Sequence, residues 1–208
     1  YAVVYPDYLG LGEGDSIHLY HHVATQAGSA LDLVRAVRSF APQVGVPMKN
    51  EIYLTGYSQG GHATLSTHKV VEEQGMTDEF NIVASAPLSG AYDLNGAQRW
   101  PMEPDQVYSH PGYLPFIIFS MNRAYQLYDD PSYALTAPYD SILPPMLTGL
   151  YDMGDLNRVL PETPHDIVHR WQWEWYLRDS LNPIRQVLAQ NSVHDWTPQA
   201  PTMLCYCT

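Results

Sequence analysis

Ser58 stands in the run Gly56-Tyr57-Ser58-Gln59-Gly60-Gly61, and its spacing to the glycines on either side suits nucleophilic catalysis. A serine hydroxyl is a weak nucleophile. To attack a carbonyl it needs a histidine to take its proton, an acid to orient that histidine, and donors for the oxyanion that forms. It must also be presented to the substrate. A G-x-S-x-G turn between a strand and a helix does this, with small residues letting strand and helix pass closely. Gly56 and Gly60 hold the two glycine places. The backbone N–H of Gln59 would then lie at a helix N-terminus, aimed at the oxyanion site. A Gly-rich strand–helix turn of some other doubly wound fold explains the glycines, but not a serine at the tip.

The elements around Ser58 supply the context that the motif alone lacks. Ala2-Val3-Val4-Tyr5 is a β-rich run closed by Pro6 and the turn-prone 7–14. Apolar residues recur at helical spacing over 24–40, and Pro42 ends that helix. Glu51-Ile52-Tyr53-Leu54-Thr55 reads as a strand, 62–74 as a helix with Gly75 at C′, and Asn81 to Ala86 as another strand. Strand, helix, strand, helix, strand argues for a parallel sheet with helices on its faces. From about 91 to 190 strand signals fade. Prolines and tyrosines are frequent, and short helices are expected over 114–127, 144–151, 164–178 and 183–190. The sheet pattern resumes as a strand over 202–207. The fold class is therefore α/β, a doubly wound, mainly parallel sheet with a helical cap insertion: core 1–90 and 191–208, cap 91–190.

Composition bounds the possibilities. The 208 residues are 45% hydrophobic and 15% charged, which is a folded globular chain. The net charge of −12 disfavours nucleic acid and anionic lipid as partners. No apolar run approaches the roughly 18 residues of a membrane span, so no stable membrane insertion is expected. Cys205 and Cys207, two apart, are poorly placed to bridge each other and read as small buried apolar residues.

Two stretches resemble the α/β-hydrolase superfamily, in its secretory lipase and lipase A-like branch: Ala2-Val3-Val4-Tyr5-Pro6-Asp7-Tyr8-Leu9-Gly10-Leu11-Gly12 and Gly56-Tyr57-Ser58-Gln59-Gly60-Gly61-His62-Ala63. The approach to the last strand, Trp196-Thr197-Pro198-Gln199-Ala200-Pro201, is similar as well. The resemblance implies a serine esterase or lipase acting on a small-molecule ester or lipid through an acyl-enzyme, with no cofactor. It implies that Asp7 lies beside the nucleophile and contributes to the oxyanion hole. Its residue type after Pro6 fits a plain turn equally well. In the family the order is Ser, acid, His, so the acid and the histidine are expected beyond Thr208, and the chain reads as a fragment truncated at both ends. Export is common in this branch, which implies a secreted or periplasmic location. Two alternatives share the elbow: a prolyl-oligopeptidase-type serine peptidase, and a non-catalytic binding module on a hydrolase scaffold.

The histidines are candidates for further chemistry. His194 and Asp195 are adjacent and point apart on an extended segment, so neither makes a good partner for the other. His165 and His169 have the i, i+4 spacing of a zinc motif, but Thr163-Pro164-His165-Asp166 reads first as a helix start. His18, His21 and His22 read as a solvated loop. No metal site is expected. Tyr92, Tyr108, Tyr113, Tyr125, Tyr128, Tyr133, Tyr139 and Tyr151 read mostly as the insertion's own core. Trp171, Trp173 and Trp175, two apart, cannot share one helix face.

Overall fold

The computed structural model describes residues 2–14 and 17–206. Contacts divide the chain into two compact units, one of residues 1–8, 23–92 and 193–208, the other of 9–22 and 93–192.

In the first unit, α1 (Val23–Phe40) packs on α2 (Gln59–Glu73), and α2 packs on β1 (Glu51–Tyr57) and β2 (Asn81–Leu88). The strands are parallel, from Glu51 opposite Asn81 to Tyr57 opposite Leu88, with one irregularity between Ile52 and Tyr53. Leu31, Val71 and Phe80 form the buried centre, with Val34, Ile52, Met76 and Ile82 against them. Phe80 is roofed by the guanidinium groups of Arg35 and Arg38, 5.0 and 5.7 Å from its ring centre. Arg35 also grips Glu79 through Nε and Nη2 at 2.6 and 2.9 Å. Gly75 takes φ +66 just past α2, the left-handed stop its type predicts.

Two expected strands are weaker than their composition. Residues 2–5 form no strand, and all four are exposed. A β-rich run becomes a strand only where a neighbour takes up its backbone groups. Residues 202–206 form no continuous strand but lie along β2, through isolated parallel bridges of Thr202 with Ser85 and Cys205 with Leu88 and backbone hydrogen bonds from Met203 N–H to Ser85 O and Cys205 N–H to Pro87 O. Pro201 occupies the start of that run and cannot donate to a ladder. Cys205 is half-buried rather than buried, and Cys207 lies outside the described residues.

The second unit is helical: α3 (Tyr113–Tyr125), α4 (Tyr139–Met146), α5 (Met153–Val159), α6 (Arg170–Arg178) and α7 (Pro183–Gln190). Its core joins Ile118, Leu135, Leu143, Leu156, Ile167 and Trp173. The single helix expected over 164–178 is broken. A short 3-10 turn over Pro164–Ile167 is followed by extended Val168 and His169. The break has a cause: Thr136 N–H donates to Ile167 O, His169 N–H to Ala134 O, and Leu135 bridges Val168. Tertiary pairing has outbid helix propensity. α5 was not expected. Its signal is a capping box in which Asp152 and Asp155 each accept the other's N–H. On α6, Trp173 is buried while Trp171 is 47% exposed, so the tryptophans do divide between faces.

Candidate active site

Ser58 sits between the last residue of β1 and the first of α2, with φ +56° and ψ −117°. A non-glycine residue in that conformation is strained, and such strain persists only where surrounding structure over-determines it. Three bonds fix it here. Ser58 N–H donates to Leu88 O at 2.9 Å, while Ser58 O accepts the N–H groups of Gly61 and His62 at 2.9 and 3.2 Å. A serine before a helix commonly caps it through its hydroxyl. Ser58 does not: its side chain makes no capping bond, and the residue is exposed.

The glycines act sterically, but not in the pairing read from the motif. A Cβ on Gly56 would lie 2.3 Å from Gly60 O, so β1 and α2 meet there. A Cβ on Gly60 would meet nothing within 4 Å. The second indispensable glycine is Gly61, whose Cβ would lie 2.5 Å from Leu88 O. The adjacent Gly60-Gly61 pair hid this. In sequence, either could have been the close approach.

Gln59 opens α2, so its backbone N–H belongs to the first turn of the helix behind the Ser58 hydroxyl. Asp7 is exposed and belongs to the same unit as Ser58.

The histidines near Ser58 in sequence are committed elsewhere. His62 is fully buried, with Nδ1 2.7 Å from Gln26 Oε1 and 3.3 Å from Ser66 Oγ. It ties α2 to α1. His68 is equally buried, with Nδ1 2.9 Å from Ser85 Oγ and Nε2 2.8 Å from Glu72 Oε1. The His68–Glu72 pair was missed, although i, i+4 spacing on a helix is a readable signal. His194 and Asp195 are exposed.

The second unit corrects another reading. His18 and His21 are 4% and 2% exposed, not solvated. His18 packs against Phe116 and directs Nδ1 at Leu9 O, 3.0 Å away. His22 sits edge-on to Tyr125, and burial pushes its pKa down. His165 and His169 do not share a helix face, since the turn ends between them. Among the described residues no group of three His, Cys, Asp or Glu side chains could hold a metal ion. No helix of the described residues is long and apolar enough to cross a membrane.

Residues 1–85, which contain the elbow, match the secretory lipase family. The rice cell wall degrading esterase LipA from Xanthomonas oryzae superposes with a TM-score of 0.85 at 32% identity, over 96% of this chain and 54% of that one. The chain is similar to the α/β-hydrolase lipases. Candida antarctica lipase A in its closed state shares the fold at a TM-score of 0.62 and 17% identity, over 90% of this chain and 43% of that one. The lipase-like chain thus spans about half the length of the solved enzymes it matches. No curated protein sequence matches it.

Proposed function

We propose that the lipase-like chain carries the nucleophile of a serine hydrolase of carboxylic esters. Ser58 Oγ attacks the ester carbonyl and passes its proton to the relay's histidine; the ester C–O bond breaks, the alcohol leaves with that proton, and water then hydrolyses the acyl-enzyme to release the acid and restore Ser58. The Gln59 N–H, at the start of α2, donates to the tetrahedral oxyanion, and the Asp7 position contributes to that hole. The observation that carries the reading is the conformation of Ser58: a strained positive φ between strand and helix, with a hydroxyl not spent on capping. Strain of that kind has a use where a side chain must stand clear at a turn tip.

The proton relay is proposed to follow the family order, with an acid and then a histidine after the serine. The sheet is read as part of the doubly wound core of the fold, with 91–190 as a helical cap insertion. A small-molecule ester or lipid is the proposed substrate, which accords with the esterase and lipase similarity. Neither the peptidase nor the binding-module alternative gains a specific observation.

The deciding experiment follows hydrolysis of short- and medium-chain p-nitrophenyl esters by the protein that carries this segment together with its acid and base. Turnover is expected in the parent and lost in Ser58→Ala. Undiminished turnover in Ser58→Ala would remove Ser58 from the chemistry.

A further inference from the structure

Ser85, His68 and Glu72 are connected as a serine–histidine–acid relay is, yet they lie away from the elbow, at the far end of α2. Ser85 Oγ is 2.9 Å from His68 Nδ1, and His68 Nε2 is 2.8 Å from Glu72 Oε1. An ionised Glu72 can only accept, so Nε2 carries the hydrogen. With the hydrogen on Nε2, Nδ1 accepts a hydrogen bond from the Ser85 hydroxyl. Burial decides against a second nucleophile: Ser85 is 3% exposed, and the His68 and Glu72 side chains 0% and 7%. A substrate carbonyl has no approach to Ser85.

The free end of the relay shows what it does instead. Glu72 accepts the N–H of Gln199 with both oxygens, at 3.1 and 2.9 Å, and the N–H of Ala200 at 3.0 Å. Thr202 Oγ1 lies 3.1 Å from Ser85 Oγ, and Trp196 stands edge-on to the His68 ring. The segment so gripped runs directly along β2. Ser85 N–H donates to Pro201 O, Met203 N–H to Ser85 O, Cys205 N–H to Pro87 O, and Ser89 N–H to Cys205 O at 2.7 Å. Leu88, between Pro87 and Ser89, holds the Ser58 N–H.

We propose that Glu72, oriented by His68, is a positioning residue: its carboxylate clasps residues 199–200, seats 201–205 along β2, and so fixes the Leu88–Ser89 backbone that holds Ser58. The link to catalysis rests on the function proposed for Ser58, whereas the clasp itself does not. Four backbone hydrogen bonds hold 201–205 along β2, and the doubly engaged carboxylate adds charge-assisted bonds at 199–200, where that pairing begins. The titratable group that faces Glu72 among its contacts is His68. Burial raises the carboxyl pKa, but the Ala200 and Gln199 N–H groups and the His68 ring outweigh it, leaving the net shift downward.

The test is amide hydrogen exchange on the chain as it stands, corrected for intrinsic rates. In wild type the Gln199 and Ala200 amides are protected at neutral pH and lose protection as Glu72 protonates. In Glu72→Gln their protection at neutral pH drops by about tenfold or more, and its pH dependence disappears. The Ser89 and Ser58 amides loosen with them, while Leu65 to Thr67 inside α2 hold. Unchanged protection at 199–200 in the variant, or wild-type protection that does not respond to acid, overturns the clasp. A uniform rise through α2 also overturns it, since that reports general destabilisation. Exchange involves no ester, so the clasp can stand or fall whether or not Ser58 proves to be the nucleophile. Loosening at 199–200 with Ser58 and Ser89 unmoved would overturn the coupling to Ser58.

Discussion

The Ser58 N–H donates to the carbonyl of Leu88 at 2.9 Å, so the strained residue at the end of β1 is pinned to the end of β2. This bond and the two accepted by Ser58 O hold a conformation that serine does not favour. Strain and function can therefore be separated by mutation. Glycine adopts positive φ without a Cβ penalty. Ser58→Gly is expected to raise unfolding stability by about 1 kcal/mol, whereas Ser58→Ala keeps the strained Cβ and gains little. Both variants are expected to lose ester turnover in the active protein, on the order of 10⁶-fold for a nucleophile working as part of a triad. Urea unfolding beside ester kinetics checks the pair. A Ser58→Gly variant less stable than Ser58→Ala would argue that the turn is not strained.

The glycines give a sharper steric prediction. An alanine at Gly56 or Gly61 would place Cβ 2.3 Å from Gly60 O or 2.5 Å from Leu88 O, both backbone atoms that cannot swing aside. Each substitution is expected to cost about 1–3 kcal/mol. Gly60→Ala meets no atom within 4 Å and lies in the first turn of a helix. It is expected to be neutral, or to stabilise by up to roughly 1 kcal/mol. Thermal melts of the three variants give the ranking, and a costly Gly60→Ala would return that glycine to the role its motif position suggests.

Much of the first unit was legible because its signals are local. Periodicity and Pro42 marked α1, Gly75 stopped α2, and β-branched and aromatic residues at 51–55 and 81–86 marked the two paired strands. The place of Ser58 between a strand and a helix was legible because its neighbours are glycines flanked by a β-rich run and a helical one. Whether 2–5 and 202–206 become strands is decided by partners distant in sequence, and composition cannot report those. The same holds at 164–178, where pairing of 167–169 with 134–136 breaks the helix that Thr163 and Pro164 advertise. The histidines misled for a related reason. His18 and His21 occupy a loop, and loops are usually wet, but this one is buried within its own unit. Between Gly60 and Gly61 no sequence signal chooses, because the deciding atom, Leu88 O, lies at the far end of the next strand.

Ser120 offers a test of that buried loop. Its hydroxyl donates to His18 O at 2.7 Å and accepts the Tyr20 N–H at 3.0 Å, and the residue is fully buried. One side chain on α3 thus satisfies two backbone groups of residues 17–22. Ser120→Ala leaves a buried donor and acceptor unmatched, at an expected cost of about 1–3 kcal/mol. Exchange of the Tyr20 amide should accelerate in parallel. A variant as stable as wild type would show that the loop finds other partners.

Glu72 gives the pH dependence. Its folded pKa is lowered, although burial alone would raise it, because the Ala200 and Gln199 N–H groups and His68 favour the charged form. A depressed carboxyl pKa adds stability above the unfolded value, near 4.3 for glutamate, and that stability disappears as pH falls through the lower folded value. Glu72→Gln removes the titration. The stability gap between wild type and Glu72→Gln is therefore expected to be widest above about pH 5 and to narrow steadily in acid. Denaturant unfolding of both proteins between neutral and acid pH measures it. A gap that stayed constant across that range would mean that Glu72 contributes shape rather than charge, and one that widened in acid would reverse the sign assigned to its pKa.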